Sequence, residues 1–464
     1  MAFNTFRLIS KKRNTSKLFL LLFVLYPISC KDCTTEPPEN PDYDIQLSVI
    51  ESAPTYVRLS VSISDSGCVR QYALQRDSVM VMSDTLFGKD TILIDSDLEP
   101  STTYQYRILI QNKGKTIDAS EPIPVLTPEL SGHYVYSWDI DTLGDDNSHL
   151  NDVFIVDENN VWAVGDIDTG DSSYNAIHWD GEKWSLINIE VEYLGRTYFK
   201  KLTSILYFNN NDIWVTDLCS PLHWDGESWN FYHLYDMGLD ACVGDGIWGT
   251  SSSDLYFIGK DGAIVHYDGQ TFEKMDTGTK VDLTDIWGEI DPETGDAHIW
   301  VCGNADNSLA SVILYLKDGE WQKIYERYAD DTNSLDDVVR YNPHCNTIWT
   351  HPSSEKLWVG GGYGLFTLDD KFSPTKYTEI DVLGEIGYFS YPGKIRGNNP
   401  YDIFITGAYS SLYHYNGQTW HRYQELYDED NRIGALDLTE DSIFIVGHYF
   451  GSFLSSGLLI KGLR

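Results

Sequence analysis

From residue 130 onward one pattern recurs: an apolar strand, a polar turn, then a short apolar strand that carries an aromatic residue and often ends in Gly. The second strands run Val161-Trp162-Ala163-Val164-Gly165, Ile213-Trp214-Val215-Thr216, Leu255-Tyr256-Phe257-Ile258-Gly259 and Ile299-Trp300-Val301-Cys302-Gly303. Leu357-Trp358-Val359-Gly360, Ile403-Phe404-Ile405-Thr406-Gly407 and Ile443-Phe444-Ile445-Val446-Gly447 complete the set of seven. Their aromatic positions lie 52, 42, 44, 58, 46 and 40 residues apart. Internal periods of this length, built from short strands, restrict a chain to a ring of small sheets, a β-propeller, here of seven blades. Most units also carry Asp-Gly or Asn-Gly between aromatic-bearing strands, as in Trp179-Asp180-Gly181-Glu182-Lys183-Trp184 and Tyr415-Asn416-Gly417-Gln418-Thr419-Trp420. Those dipeptides supply the positive φ that a tight hairpin needs. The last unit stops at its third strand, Leu458-Leu459-Ile460-Lys461-Gly462, while Tyr134-Val135-Tyr136-Ser137-Trp138-Asp139-Ile140 stands alone before the first. That orphan segment is expected to be the missing fourth strand and to close the ring.

The units resemble those of a broad class of bacterial extracytoplasmic propellers that read I-W-G-T-S-S-x-D-V-W-x-V-G, then H-Y/W-D-G-x-x-W. Ile247-Trp248-Gly249-Thr250-Ser251-Ser252-Ser253-Asp254-Leu255-Tyr256 is the nearest copy, and Asp285-Ile286-Trp287-Gly288 a partial one. The resemblance covers residues 131–464 and implies a fold rather than an activity, because propellers host many functions.

Lys11, Lys12 and Arg13 precede an apolar run from Leu18 to Leu25, followed by Tyr26-Pro27-Ile28-Ser29-Cys30. A positive flank, a short apolar stretch and a small residue before a cut make residues 1–29 a secretory signal. The run is far shorter than the roughly 20 residues that span a bilayer. Ile28-Ser29-Cys30 resembles a bacterial lipoprotein signal, with Pro27 standing where Leu is usual. The resemblance implies acylation of Cys30 and attachment by that lipid in the bacterial cell envelope, at the outer membrane. Residues 30–44 are Pro- and acid-rich and read as a tether. In 45–128, Val57-Arg58-Leu59-Ser60-Val61-Ser62-Ile63 alternates strictly. Leu98-Glu99-Pro100-Ser101-Thr102-Thr103-Tyr104 resembles the fibronectin type III signature, with a tyrosine corner at Tyr104. The expected fold is all-β: a fibronectin type III-like sandwich, then a seven-bladed propeller over 131–464.

With 33 Lys and Arg against 70 Asp and Glu, a formal charge of −37, the chain has no footprint for nucleic acid. There are seven cysteines. Lipidation of Cys30 leaves six, and in an oxidising compartment disulfides are the default. Cys219 with Cys242 and Cys302 with Cys345 map to shared faces of the ring; Cys33 and Cys68 remain as a third pair.

Residues repeated in every unit are structural, so function is expected in non-repeated residues on the loops over one face. The candidate ligand-binding residues are Tyr193, Arg196, Tyr198, Tyr363, Tyr409, His448, Tyr449 and Phe450, with Glu429 and Arg432 on the same set of loops. Aromatics mixed with acids and a few arginines suit stacking on a glycan or gripping a protein of the envelope. Asp166, Asp168 and Asp171 resemble a calcium loop, with Gly170 at position five and no Glu at position twelve. No other cofactor is expected. A scaffold subunit of an envelope complex is the alternative reading, and a polysaccharide-acting enzyme a second. For the enzyme, Arg196, Arg340 and Arg432 are scattered, and no Gly-x-Ser-x-Gly, His-Glu-x-x-His or P-loop pattern occurs.

Overall fold

The computed structural model describes residues 43–63, 70–86, 90–96, 98–112, 115–130, 132–145, 147–292, 294–305, 310–327, 345–362, 364–380, 392–450 and 455–464. The chain divides into two compact units, Met1–Ser131 and Gly132–Arg464. The signal, Cys30, the tether and the proposed pair of Cys33 with Cys68 lie outside the described residues, as do Arg340 and Tyr363. Among the described residues no helix is long and apolar enough to cross a membrane.

The N-terminal unit holds two antiparallel sheets. One joins Ile45–Ser52, Tyr56–Ile63 and Asp90–Ser96; the other joins Val79–Leu86, Arg70–Arg76, Thr103–Asn112 and Lys115–Ala119, with Ile123–Leu126 also on Thr103–Asn112. The period-two alternation sends Val57, Leu59, Val61 and Ile63 into a core shared with Tyr72, Leu74, Leu93, Tyr106 and Ile108. Buried Asp95 is held by Tyr106 Oη at 2.7 Å and Arg76 Nη1 at 2.9 Å. The backbone N–H of Glu99 donates to Tyr104 Oη at 2.9 Å, so this tyrosine reaches back to the turn before its strand.

In the C-terminal unit the described residues form seven four-stranded antiparallel sheets. Their first strands are His149–Asp157, Ser204–Asn209, Val243–Ser251, Leu283–Ile290, Thr347–Trp349, Ile395–Asn399 and Asn431–Leu438. Each packs against the next, and the last against the first, so the strands encircle an axis. The apolar second strands are buried between neighbouring sheets: Trp214, Trp300, Phe257, Phe404 and Phe444 are all fully buried. The seventh sheet takes its fourth strand from Ser137–Leu143, which pairs antiparallel with Ser455–Leu463 and sets Ile140 opposite Ile460. Trp138 lies so close to Gly462 that a Cβ there would sit 2.5 Å from its ring, which is why the residue opposite it is glycine.

Two interlocks repeat. Gly181, Gly226, Gly269 and Gly417 have φ of 92°, 93°, 88° and 97°. The preceding Asp180, Asp225, Asp268 and Asn416 each accept two backbone N–H bonds from their turns. Those bonds hold the exposed carboxyls of Asp180 and Asp268 low and bring Asp225 down to about 2. In the second interlock an imidazole stacks on the second-strand aromatic and bonds an acid or amide at that strand's start. His223 Nε2 meets Asp212, His266 meets Asp254 and His414 meets Asp402, each at 2.9 Å, and His178 meets Asn160 at the same distance. One such His–Asp pair would invite a catalytic reading; recurrence in sheet after sheet makes it a fastener.

Cys219 and Cys242 are disulfide-bonded. Cys302 and Cys345 are not: both are free, buried thiols in one apolar cluster with Trp300, Ile313 and Leu357. The expected second disulfide is therefore corrected. Thr284 stands at this pair, its Oγ1 donating to the Cys345 carbonyl at 3.0 Å and lying 3.9 Å from Cys302 Sγ. Burial raises both thiols, Cys345 to about 12, so neither is a ready thiolate.

Candidate functional site

The disulfide ties the turn after the second sheet's second strand, Asp212–Thr216, to the segment that enters the third sheet, Val243–Ser251. These two kinds of loop therefore share one face of the ring. Between the sixth and seventh sheets the same two kinds of loop carry a cluster of side chains that the repeat does not require. Tyr409 follows Asp402–Gly407, and Tyr427 lies in the segment that enters Asn431–Leu438. Their ring centroids are 6.2 Å apart. The Arg432 guanidinium lies 4.8 Å from the Tyr409 ring, and that of Arg422 lies 4.6 Å from Tyr427. Strand register sets His448 opposite Arg432 and Tyr449 opposite Asn431. Burial, His149 and Arg432 together lower the His448 imidazole below its ordinary value. Tyr409 and Ser410 are consecutive non-glycine residues at positive φ, 60° and 50°. Such conformations cost free energy and persist where surrounding structure enforces them.

Tyr409 and Arg432 thus meet, and strand register places His448 and Tyr449 on the strand beside Arg432. Phe450 ends the strand Ser442–Phe450, and its side chain lies outside the described residues. Tyr193, Arg196 and Tyr198 belong elsewhere. They sit on an added hairpin, Glu190–Tyr193 with Arg196–Phe199, lying against the outer strand Trp229–Phe231. Tyr193 donates to Asp236 and meets His233 Nδ1 at 3.0 Å, with its ring 5.4 Å from Phe231. Lys200 covers Phe231 at 4.5 Å and Tyr198 at 5.7 Å. Both tyrosines are packing residues of the hairpin, and only Arg196 is exposed. Two of the acids in the expected calcium loop are engaged within the fold. Asp166 is paired with Lys201, and Asp168 Oδ1 accepts from Gly170 N at 2.8 Å within its own turn. Among the described residues no three His, Cys, Asp or Glu side chains converge as metal ligands.

Sequence reasoning missed Arg422 and Tyr427. No departure from the repeat marked Arg422: the equivalent outer-strand position is Leu186 and Phe231 in the first two units but Lys274 and Lys323 in the third and fourth. The same reasoning missed the acids of the first strands as well. Asp437 accepts from Ile155 N at 2.7 Å, Asp152 from Ile205 N at 3.0 Å and Asp285 from Ile348 N at 3.0 Å, each across to the next sheet. Asp285 also binds Lys394 at 2.8 Å and Arg396 at 3.1 Å, and these cations hold its buried carboxyl well below the usual range. Among the described residues Asp437 is in no such ion pair, and burial raises it to about 6. These groups staple sheets together rather than face a ligand.

No family model and no curated protein matches the chain. Among solved structures it is similar to YCF48 bound to D1 peptide, with 16% identity and a TM-score of 0.52 over 73% of this chain and 100% of that one. The fold is a β-propeller. A weaker likeness, 8% identity and a TM-score of 0.45 over 70% of this chain and 95% of the other, joins this propeller to the Dos1 propeller.

Proposed function

We propose that this chain is an envelope lipoprotein, acylated at Cys30, whose seven-bladed propeller holds a protein partner on its loop face without catalysing a reaction. Residues 45–128 act as a fibronectin type III-like spacer; the three-strand and five-strand sheets and the Glu99–Tyr104 bond support that reading. The observation that carries the binding role is the cluster of Tyr409 and Tyr427 on a loop pair with Arg422 and Arg432 on the adjoining strands, between the sixth and seventh blades. Tyr and Arg in this arrangement have the composition of protein hot spots, bringing large contact area at low entropy cost. YCF48 has been solved with a peptide bound, which favours a protein partner over a neutral glycan stacked on the same rings. The test is affinity capture from the native envelope beside a glycan array. A Tyr409→Ala/Tyr449→Ala variant is expected to lose at least about tenfold in capture, about 1.4 kcal/mol, with its melting temperature unchanged. Retention of glycans in place of protein would overturn the reading.

A further inference from the structure

We infer that the junction of the sixth and seventh blades is a carboxylate-binding subsite that seats an acidic side chain of the protein partner. This rests on the proposed protein-binding role of that face. Arg422 ends the outer strand Trp420–Arg422, opposite Tyr413. Its guanidinium lies between two rings, 4.6 Å from Tyr427 and 5.8 Å from Tyr413, and Nη2 donates to Ser411 Oγ at 3.3 Å. Among the described residues no carboxylate is ion-paired with Arg422. That is out of keeping with a chain of 70 acids and 33 bases, in which Lys200, Lys260, Lys371, Lys394 and Arg396 all hold carboxylates. Arg432 directs Nη1 to the carbonyls of Glu429 and Asn431, at 3.0 and 2.8 Å.

Polar groups with unmet hydrogen bonds gather at the same junction. Arg422 Nε, Ser410 Oγ and Asn431 Oδ1 are buried without a partner. Two of these are donors, and leaving them unmet is unfavourable in the free protein. With Nε closed off, the edge a guanidinium beside these rings offers to a planar anion is its terminal pair, Nη1 and Nη2, two N–H donors to two oxygens, a match for carboxylate that an ammonium lacks. Tyr427, 36% exposed, forms one wall. The exposed loop beside it is Asp428-Glu429-Asp430, which repels a uniformly acidic segment and favours basic residues next to the seated acid. The occupant is therefore an extended peptide segment in which Glu or Asp is flanked by Lys or Arg.

The probe is an array of immobilised decapeptides carrying Lys-Glu-Lys at the centre, each beside its Lys-Gln-Lys counterpart, read with the full chain and set against an array of uronate-bearing glycans. The expected result is capture of the Glu peptides, falling at least tenfold for the Gln counterparts. Arg422→Gln should abolish the preference and Arg422→Lys should retain only part of it. Because the peptide exchange needs no protein variant, an Arg422 variant that failed to fold would leave the test intact. Equal capture of Glu and Gln peptides that is still lost in Tyr409→Ala/Tyr449→Ala would overturn the carboxylate subsite and leave the protein-binding face standing. Capture of uronate glycans without peptides would overturn both, as would capture of nothing on either array.

Discussion

Among single residues, Asp285 carries the heaviest structural duty. Its carboxylate, 1% exposed, takes Thr347 Oγ1 and Ile348 N from the fifth blade and Lys394 and Arg396 from the sixth, while itself belonging to the fourth. Removing one partner of a buried ion network leaves its counter-charges stranded, a loss on the order of 3–5 kcal/mol. Asp285→Ala is therefore expected to lower the urea midpoint by a corresponding amount; a midpoint within error of wild type would show that the network is decorative. Cys219–Cys242 makes a smaller, separable contribution. Closing that loop stabilises by about 3 kcal/mol if unstrained, so a Cys219→Ser/Cys242→Ser variant should melt lower, and a reductant should lower wild type but not the variant. The disulfide was legible because both cysteines flank strands whose order the repeat defines. The second pair was misread because spacing locates a residue along the chain but not the direction of its side chain. Arg422 escaped for a related reason: it occupies a position filled by Leu186 and Phe231 or by Lys274 and Lys323 in other units, and only the folded junction reveals what it lacks.

For elements, the closing strand is the part of the fold most open to test. Ser137–Leu143 is held by its ladder to Ser455–Leu463, by Trp138 Nε1 donating to Glu425 at 3.0 Å, and by the segment before it. There His133 Nδ1 faces His414 Nδ1 at 3.0 Å, and Tyr134 stacks on His414 with centroids 4.9 Å apart. Two imidazoles at that distance share one proton and cannot both become cations. Burial, followed by His414 and His421, lowers His133 from 6.5 to about 4. The neutral form is thus favoured in the fold. The closure is at full strength above about 6.5 and weakens as pH falls towards about 4, because the released segment takes up protons more readily. Amides of 134–143 are expected to exchange faster over that window after correction for intrinsic rates, and His133→Gln should flatten the dependence. A global melt is a poor reporter, since Asp437, raised to about 6, contributes with the opposite sign. Deleting residues 131–141 should lower the melting temperature by on the order of 10 °C, and an unchanged value would refute the closure. The strand itself was readable from the missing fourth strand of the last unit; the histidine contact, between residues nearly three hundred positions apart, was not.

For the whole molecule, repetition made the architecture legible and hid the site. A pattern that recurs in each unit reports packing, so the ring followed from strand spacing and turn chemistry alone. The loops that differ carry little pattern, and geometry had to separate Tyr409, which meets Arg432 and Tyr427 at the junction, from Tyr193 and Tyr198, which pin a hairpin to its neighbour. The closing strand also ties the molecule to the order in which it is made. Among the described strands of the ring, Ser137–Leu143 leaves the ribosome first, yet its ladder partner, Ser455–Leu463, follows more than three hundred residues later. Until then Ser442–Phe450 and Ser137–Leu143 each present an edge that lacks its ladder partner, a template for mispairing. The ring latches only once Ser455–Leu463 has been made, so its closure is a late event of synthesis rather than an early one.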